Sequence, residues 1–185
     1  MARKFQRILG GYEAPFFKTE SGFIPNGASL VEAGLAVMYK SGSPVADIDE
    51  AQPIVLSDGT SAIGLLNQDV TPSRAASTLG YVVGSKTEGN FRRRLTHEAE
   101  EGDVCAVTIG PAHCIIPDEC YVGTPAPSNP LYVTNAGKLT AAYNATPSAT
   151  EGGLMAAVCE SAPTADGNIR ILLLGPYATY YSYVA

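Results

Sequence analysis

Between Leu131 and Leu174 the chain reads LYVTNAGKLTAAYNATPSATEGGLMAAVCESAPTADGNIRILLL, and little but short strands fits such a stretch. LYVT leads through Asn135-Ala136-Gly137 into KLTAAY, and a loop rich in Pro and Thr follows. GGLMAAVCE comes next, and Ala165-Asp166-Gly167-Asn168 turns into IRILLL. Asp-Gly between two apolar runs is a strong hairpin signal, because the turn needs positive φ angles that both residues tolerate. Four strands are predicted here. The same punctuation covers the whole chain, whose 19 glycines and 13 prolines among 185 residues interrupt it too often for long helices.

Upstream, a turn at Glu32-Ala33-Gly34 is preferred to a short capped helix from Ser29, because Gly34 would sit inside that helix. The strand LAVMYK follows, then an acidic loop (Asp47, Asp49, Glu50), PIVL, a turn at Asp58-Gly59 and SAIGLLNQ. The acidic loop lacks the DxDxDG spacing of a calcium loop and reads as solvated. GYVVG (80–84) and FRRRL (91–95) suggest a hairpin, VCAVTIG alternates as a strand, and TPAPSNP (124–130) reads as a linker or edge segment. An internal echo links AVMYKSG…PIVLSDGTSAIGLLNQDV with LYVTNAGKLT…EGGLMAAVCESA: a strand, a small-residue turn, a loop, then Gly and an apolar strand. It suggests two similar β units around a shared core.

The predicted fold class is all-β, a compact β-barrel or β-sandwich of short antiparallel strands over residues 31–175. An extended N-terminal arm over 1–30 and a Tyr-rich C-terminal tail over 176–185 flank it. A chain of this length buries roughly 70% of its unfolded surface and needs no metal or disulfide to fold.

Charged residues make up only 16% of the chain, against about 25% in an average soluble protein, which points to surface that meets other protein. The net charge of −6 argues against a nucleic-acid binder, which would carry a basic footprint. No apolar run has the length of a membrane span, and no signal-peptide core opens the chain, so synthesis in a cytosol is expected. Cys105, Cys114, Cys120 and Cys159 show no CxxC spacing and read as reduced, buried apolar residues.

No nucleophile elbow, phosphate loop, dinucleotide fingerprint or HExxH motif occurs, so a non-enzymatic protein without catalytic residues or cofactor is expected. His97, Cys105, His113, Cys114 and Cys120 supply zinc-type ligands, but their spacing matches no zinc module and His113 and Cys114 would face opposite sides of a strand. No metal site is predicted.

The residues singled out are therefore contact residues. In the N-terminal segment these are Arg3, Lys4, Phe5, Phe16 and Phe17, a basic start followed by aromatics that the segment cannot bury by itself. Arg92, Arg93 and Arg94 form the one later concentration of positive charge. They suit bidentate pairing with carboxylates on a partner, or they answer Glu98, Glu100, Glu101 and Asp103 nearby. Tyr177, Tyr180, Tyr181 and Tyr183 place four of ten tyrosines in nine residues, a composition typical of interfaces; a final edge strand is the plainer alternative.

The run NPLYVTNAGKLTAA…GGLMAAVCESAPTADGNIRILLLGP resembles the closing segment of tailed-bacteriophage head decoration, or cement, proteins. EAGLAV and EGDVCAVTIG resemble the Gly-led turns into strands of the same family. The resemblance spans residues 30–175 in outline and rests chiefly on 131–174. It implies a β-barrel or sandwich outside the major capsid protein, commonly a trimer, located on the virion exterior and stabilising the shell. Two other readings stay open: a fibre or tail component, and a cytosolic β-barrel binding a ligand or metal.

Overall fold

A computed structural model describes residues 6–7, 18–23, 32–40, 52–67, 69–71, 98–100 and 104–175. The protein is all-β, and the single helical piece among the described residues is a 3-10 turn at Asp118–Cys120. The strands of the first part are β1 (Gln6–Arg7), β2 (Lys18–Phe23), β3 (Ala36–Tyr39), β4 (Gln52–Leu56), β5 (Gly64–Leu66), β6 (Asp69–Thr71), β7 (Glu98–Glu100) and β8 (Val104–Ile109). Those of the second are β9 (Ala112–Ile116), β10 (Tyr121–Val122), β11 (Pro130–Val133), β12 (Leu139–Thr140), β13 (Leu154–Cys159) and β14 (Ile169–Leu173).

Strands β2-β4-β3-β5-β8 close into a small barrel, and β6 pairs with β7 beside it. The second unit is a seven-stranded sheet in the order β1-β9-β14-β13-β11-β12-β10. The same order occurs twice. Around the barrel the strands run β2-β4-β3-β5-β8, and through the sheet β10-β12-β11-β13-β14. In each series the first pair is parallel and the next three are antiparallel. The barrel closes by pairing β8 with β2. In the sheet β14 pairs instead with β9, which continues through the 3-10 turn into β10.

That continuation forces the sheet to curl. Five strand spacings separate β9 from β10, about 24 Å in a flat sheet. The five residue-to-residue steps from Ile116 to Tyr121 span at most about 17 Å. A flat sheet is therefore too wide for its own connection.

One continuous core serves both units. Val37, Ile54, Leu65 and Val107 from the barrel join Leu131, Val133, Ile169 and Ile171 from the sheet, all fully buried. Alternation selects these side chains: β9 and β14 bury every second residue, Ala112, Cys114 and Ile116 on one strand and Ile169, Ile171 and Leu173 on the other. The chain passes between the units at Gly110–Pro111, a cis peptide. A Cβ on Gly110 would lie 2.6 Å from the Leu173 carbonyl oxygen, so only glycine permits this approach to the end of β14.

Local chemistry explains where strands begin and stop. Glu32–Gly34 is a turn, with Gly34 at φ +98°, and β3 follows it as expected. KLTAAY is shorter than predicted, since β12 ends at Thr140. The Thr140 hydroxyl donates to the Thr150 carbonyl at 3.0 Å and accepts the Ala142 amide at 3.2 Å, replacing the next ladder bonds with side-chain ones. The proline-rich segment stays outside the ladders until Pro130 opens β11, and it lies along β13: the Ser128 amide donates to the Cys159 carbonyl, and the Cys159 amide donates to Asn129. Of residues 1–30, the described ones are β1, on the edge of the sheet, and β2, a stave of the barrel.

Candidate interaction surface

The outward face of the sheet follows from its register. Pro130, Val158, Leu172 and His113 lie opposite one another on β11, β13, β14 and β9, forming a partly exposed row across four strands. Arg170 and Ile115 form a second pair, and the Glu160 amide donates to the Arg170 carbonyl at 2.7 Å, which brings the Glu160 side chain beside both rows.

Three charged or titratable groups converge there. Glu160 Oε2 accepts from Arg170 Nε at 2.8 Å and from His113 Nδ1 at 2.9 Å. An ionised carboxylate only accepts, so His113 carries its proton on Nδ1 in this contact. Partial burial pushes the Glu160 carboxyl upward, but the hydrogen bonds from His113 and Arg170, aided by their charge, outweigh it and hold the group below its ordinary value. His113 thus pairs with a carboxylate, while Cys114 next to it is buried in the core, as strand alternation predicts.

Aromatic surface lies on the same unit. The rings of Tyr132 and Tyr143 are 5.1 Å apart and tilted by 53°, and Tyr143 is 48% exposed. A tilted pair at that separation is a favourable ring arrangement. On the barrel, Tyr39 is the other large apolar side chain that stands out among the described residues, at 44% exposure.

An apolar groove of about 190 Å³ separates the units. One wall is Thr60–Leu65, leading into and including part of β5; the other is Leu154–Ala156 at the start of β13. Leu173–Gly175 complete it. β5 and β13 hold equivalent places in the two strand series, so the groove lies beside matching strands of the two units.

All four cysteines are free and buried. Desolvation pushes the Cys120 thiol up to about 12, and its Sγ donates to the Ala33 carbonyl at 3.2 Å across the unit boundary. Burial also raises Cys159, whose Sγ donates to the Ser161 carbonyl at 3.1 Å. Such thiols pack as small hydrogen-bonding apolar groups. Among the described residues no three His, Cys, Asp or Glu side chains are grouped to hold a metal ion.

The contact residues predicted from sequence, Arg3, Lys4, Phe5, Phe16, Phe17, Arg92, Arg93, Arg94, Tyr177, Tyr180, Tyr181 and Tyr183, lie outside the described residues, as does His97. The His113–Glu160–Arg170 cluster and the Tyr132–Tyr143 pair were not predicted. Alternation in LYVT and IRILLL does place Tyr132 and Arg170 opposite the core. The meeting of His113 with a carboxylate 47 positions away has no signal in sequence.

No family model, no curated protein and no solved structure matches this chain. What the geometry offers is charge pairing and aromatic contact on a β face.

Proposed function

We propose that this protein is a structural virion component that binds the outer surface of a phage capsid and stabilises it by bridging capsomers. The observation that carries the reading is the architecture: two β units of one strand order share a single core, and the sheet carries ion-pairing and aromatic groups outside that core. The resemblance of residues 131–174 to head decoration proteins supplies the partner, the major capsid protein, and the expected trimer. In this reading the body sits where capsomers meet. Arg3, Lys4, Phe5, Phe16, Phe17, Arg92–Arg94 and the tyrosines of 177–183 reach neighbouring subunits. Many copies on one shell multiply a modest affinity per copy, and binding that favours the assembled shell stabilises it by mass action.

The test is the solution mass of the purified protein, followed by co-sedimentation with undecorated phage heads. The reading expects a trimer that binds saturably and raises the heads' resistance to heat. A monomer left in the supernatant overturns it, and stoichiometric zinc in that monomer would favour the metal-binding barrel instead.

A further inference from the structure

The ion cluster on the outward face of the sheet leaves hydrogen-bonding capacity unused. Both bonds that Glu160 accepts, from His113 Nδ1 and from Arg170 Nε, end on Oε2, and Oε1 accepts none. Arg170 donates through Nε alone, so the edge formed by its two terminal nitrogens meets no acceptor within the protein. We propose that this face docks a second copy of the same chain about a twofold axis, Arg170 of each copy donating to Glu160 Oε1 of the other. The inference needs only the purified protein and does not rest on the shell reading.

Charge placement is the first argument. A carboxylate has room for about four hydrogen bonds and Glu160 accepts two, while a guanidinium donates through its terminal nitrogens as well as Nε. An unmet acceptor and an unmet donor edge therefore belong to neighbouring side chains. An acidic partner would satisfy Arg170 and be repelled by Glu160, and a basic partner would do the reverse. A copy of the same patch satisfies both at once. That self-complementarity is what a twofold contact requires.

The surroundings suit a contact. Register sets Ile115 opposite Arg170, and Leu172 opposite both Val158 and His113, so apolar side chains adjoin the charged ones on one side of the sheet. Ile115, Val158 and Leu172 are all partly exposed. Apolar area beside an arginine is a combination enriched at protein interfaces. Arg170 is 48% exposed and so open to a partner, while Glu160, at 26%, is already held by two donors. A carboxylate fixed in advance loses less side-chain entropy when a second copy arrives.

Charge reversal tests this in the full chain. Sedimentation at low salt should show the parent's mass doubling between about 1 μM and 1 mM. If the chain is a trimer through another face, the doubling starts from the trimer. Arg170→Glu and Glu160→Arg should each weaken the doubling by about tenfold or more, because each leaves a patch of one sign that repels its copy. An equimolar mixture of the two variants should restore it, with one of each in the product, since an acidic patch then meets a basic one. That restoration also shows that both variants fold. A parent that does not double, or that doubles no better than Arg170→Glu, overturns the proposal. A loss in both variants that mixing does not restore overturns it as well.

Discussion

The amide of Ala36 donates a 2.7 Å hydrogen bond to the carbonyl of Gly137, fastening barrel strand β3 to the turn between β11 and β12. Gly137 reaches this position at φ +71°, and a Cβ there would lie 2.7 Å from the Ala36 carbonyl oxygen. Backbone hand and close approach both require glycine.

Gly137→Ala is therefore expected to destabilise the protein by about 2–5 kcal/mol, combining a left-handed non-glycine residue with a disturbed buried hydrogen bond. Gly123 is the control. It also has positive φ, +82°, but nothing lies within 4 Å of an added Cβ. Gly123→Ala should cost only about 1–2 kcal/mol. Urea denaturation of the two variants separates the backbone cost from the cost of prising the units apart.

The shared core predicts joint unfolding. Leu65→Ala in the barrel and Ile171→Ala in the sheet each remove a fully buried side chain from the same cluster, and each should cost about 2–5 kcal/mol. Both variants should shift one common transition, read by amide exchange at Val37 and at Leu172. Two separate transitions would show that the units fold independently.

The cluster on the sheet face predicts a pH dependence. The folded-state value of Glu160 lies below its ordinary 4.5, so its stabilisation is fully present above about pH 4.5 and is lost as the pH falls through the lowered folded value. Glu160→Gln should thus be less stable than the parent at pH 7, by on the order of 1 kcal/mol or less for a partly exposed pair. The difference should close as the solution is acidified. Thermal melts of both proteins from pH 3 to 7 measure it directly.

Thiol chemistry offers a fourth check. With Cys120 at about 12 and all four cysteines buried, none should react with a thiol reagent at pH 8 unless the structure opens. Labelling rates should rise with urea in step with unfolding. Modification of one cysteine within seconds in native buffer would contradict the packing described above.

Turn chemistry was the legible part of this fold. Gly34, Gly59, Gly137 and Gly167, each placed in a turn by its neighbours in sequence, all adopt positive φ. Strand alternation likewise set His113 and Cys114 of β9 on opposite faces, and Cys114 is the buried one. The echo between the two halves corresponds to a real equivalence of order, with β3 flanked by β4 and β5, and β11 flanked by β12 and β13. Pairing choice was not legible. A turn reverses the chain but does not say which edge a strand's amides will meet, so nothing local announces that β2 runs parallel to β4 or β10 to β12.

The amino-acid sequence by itself determined an all-β chain and the places where it turns, because φ preference and side-chain alternation are properties of a few neighbouring residues. Only the tertiary structure decided that the sheet curls, that His113 and Arg170 share the carboxylate of Glu160, and that a groove opens between β5 and β13. Each of these depends on packing two distant segments around one core, and local sequence does not say which distant segments will meet.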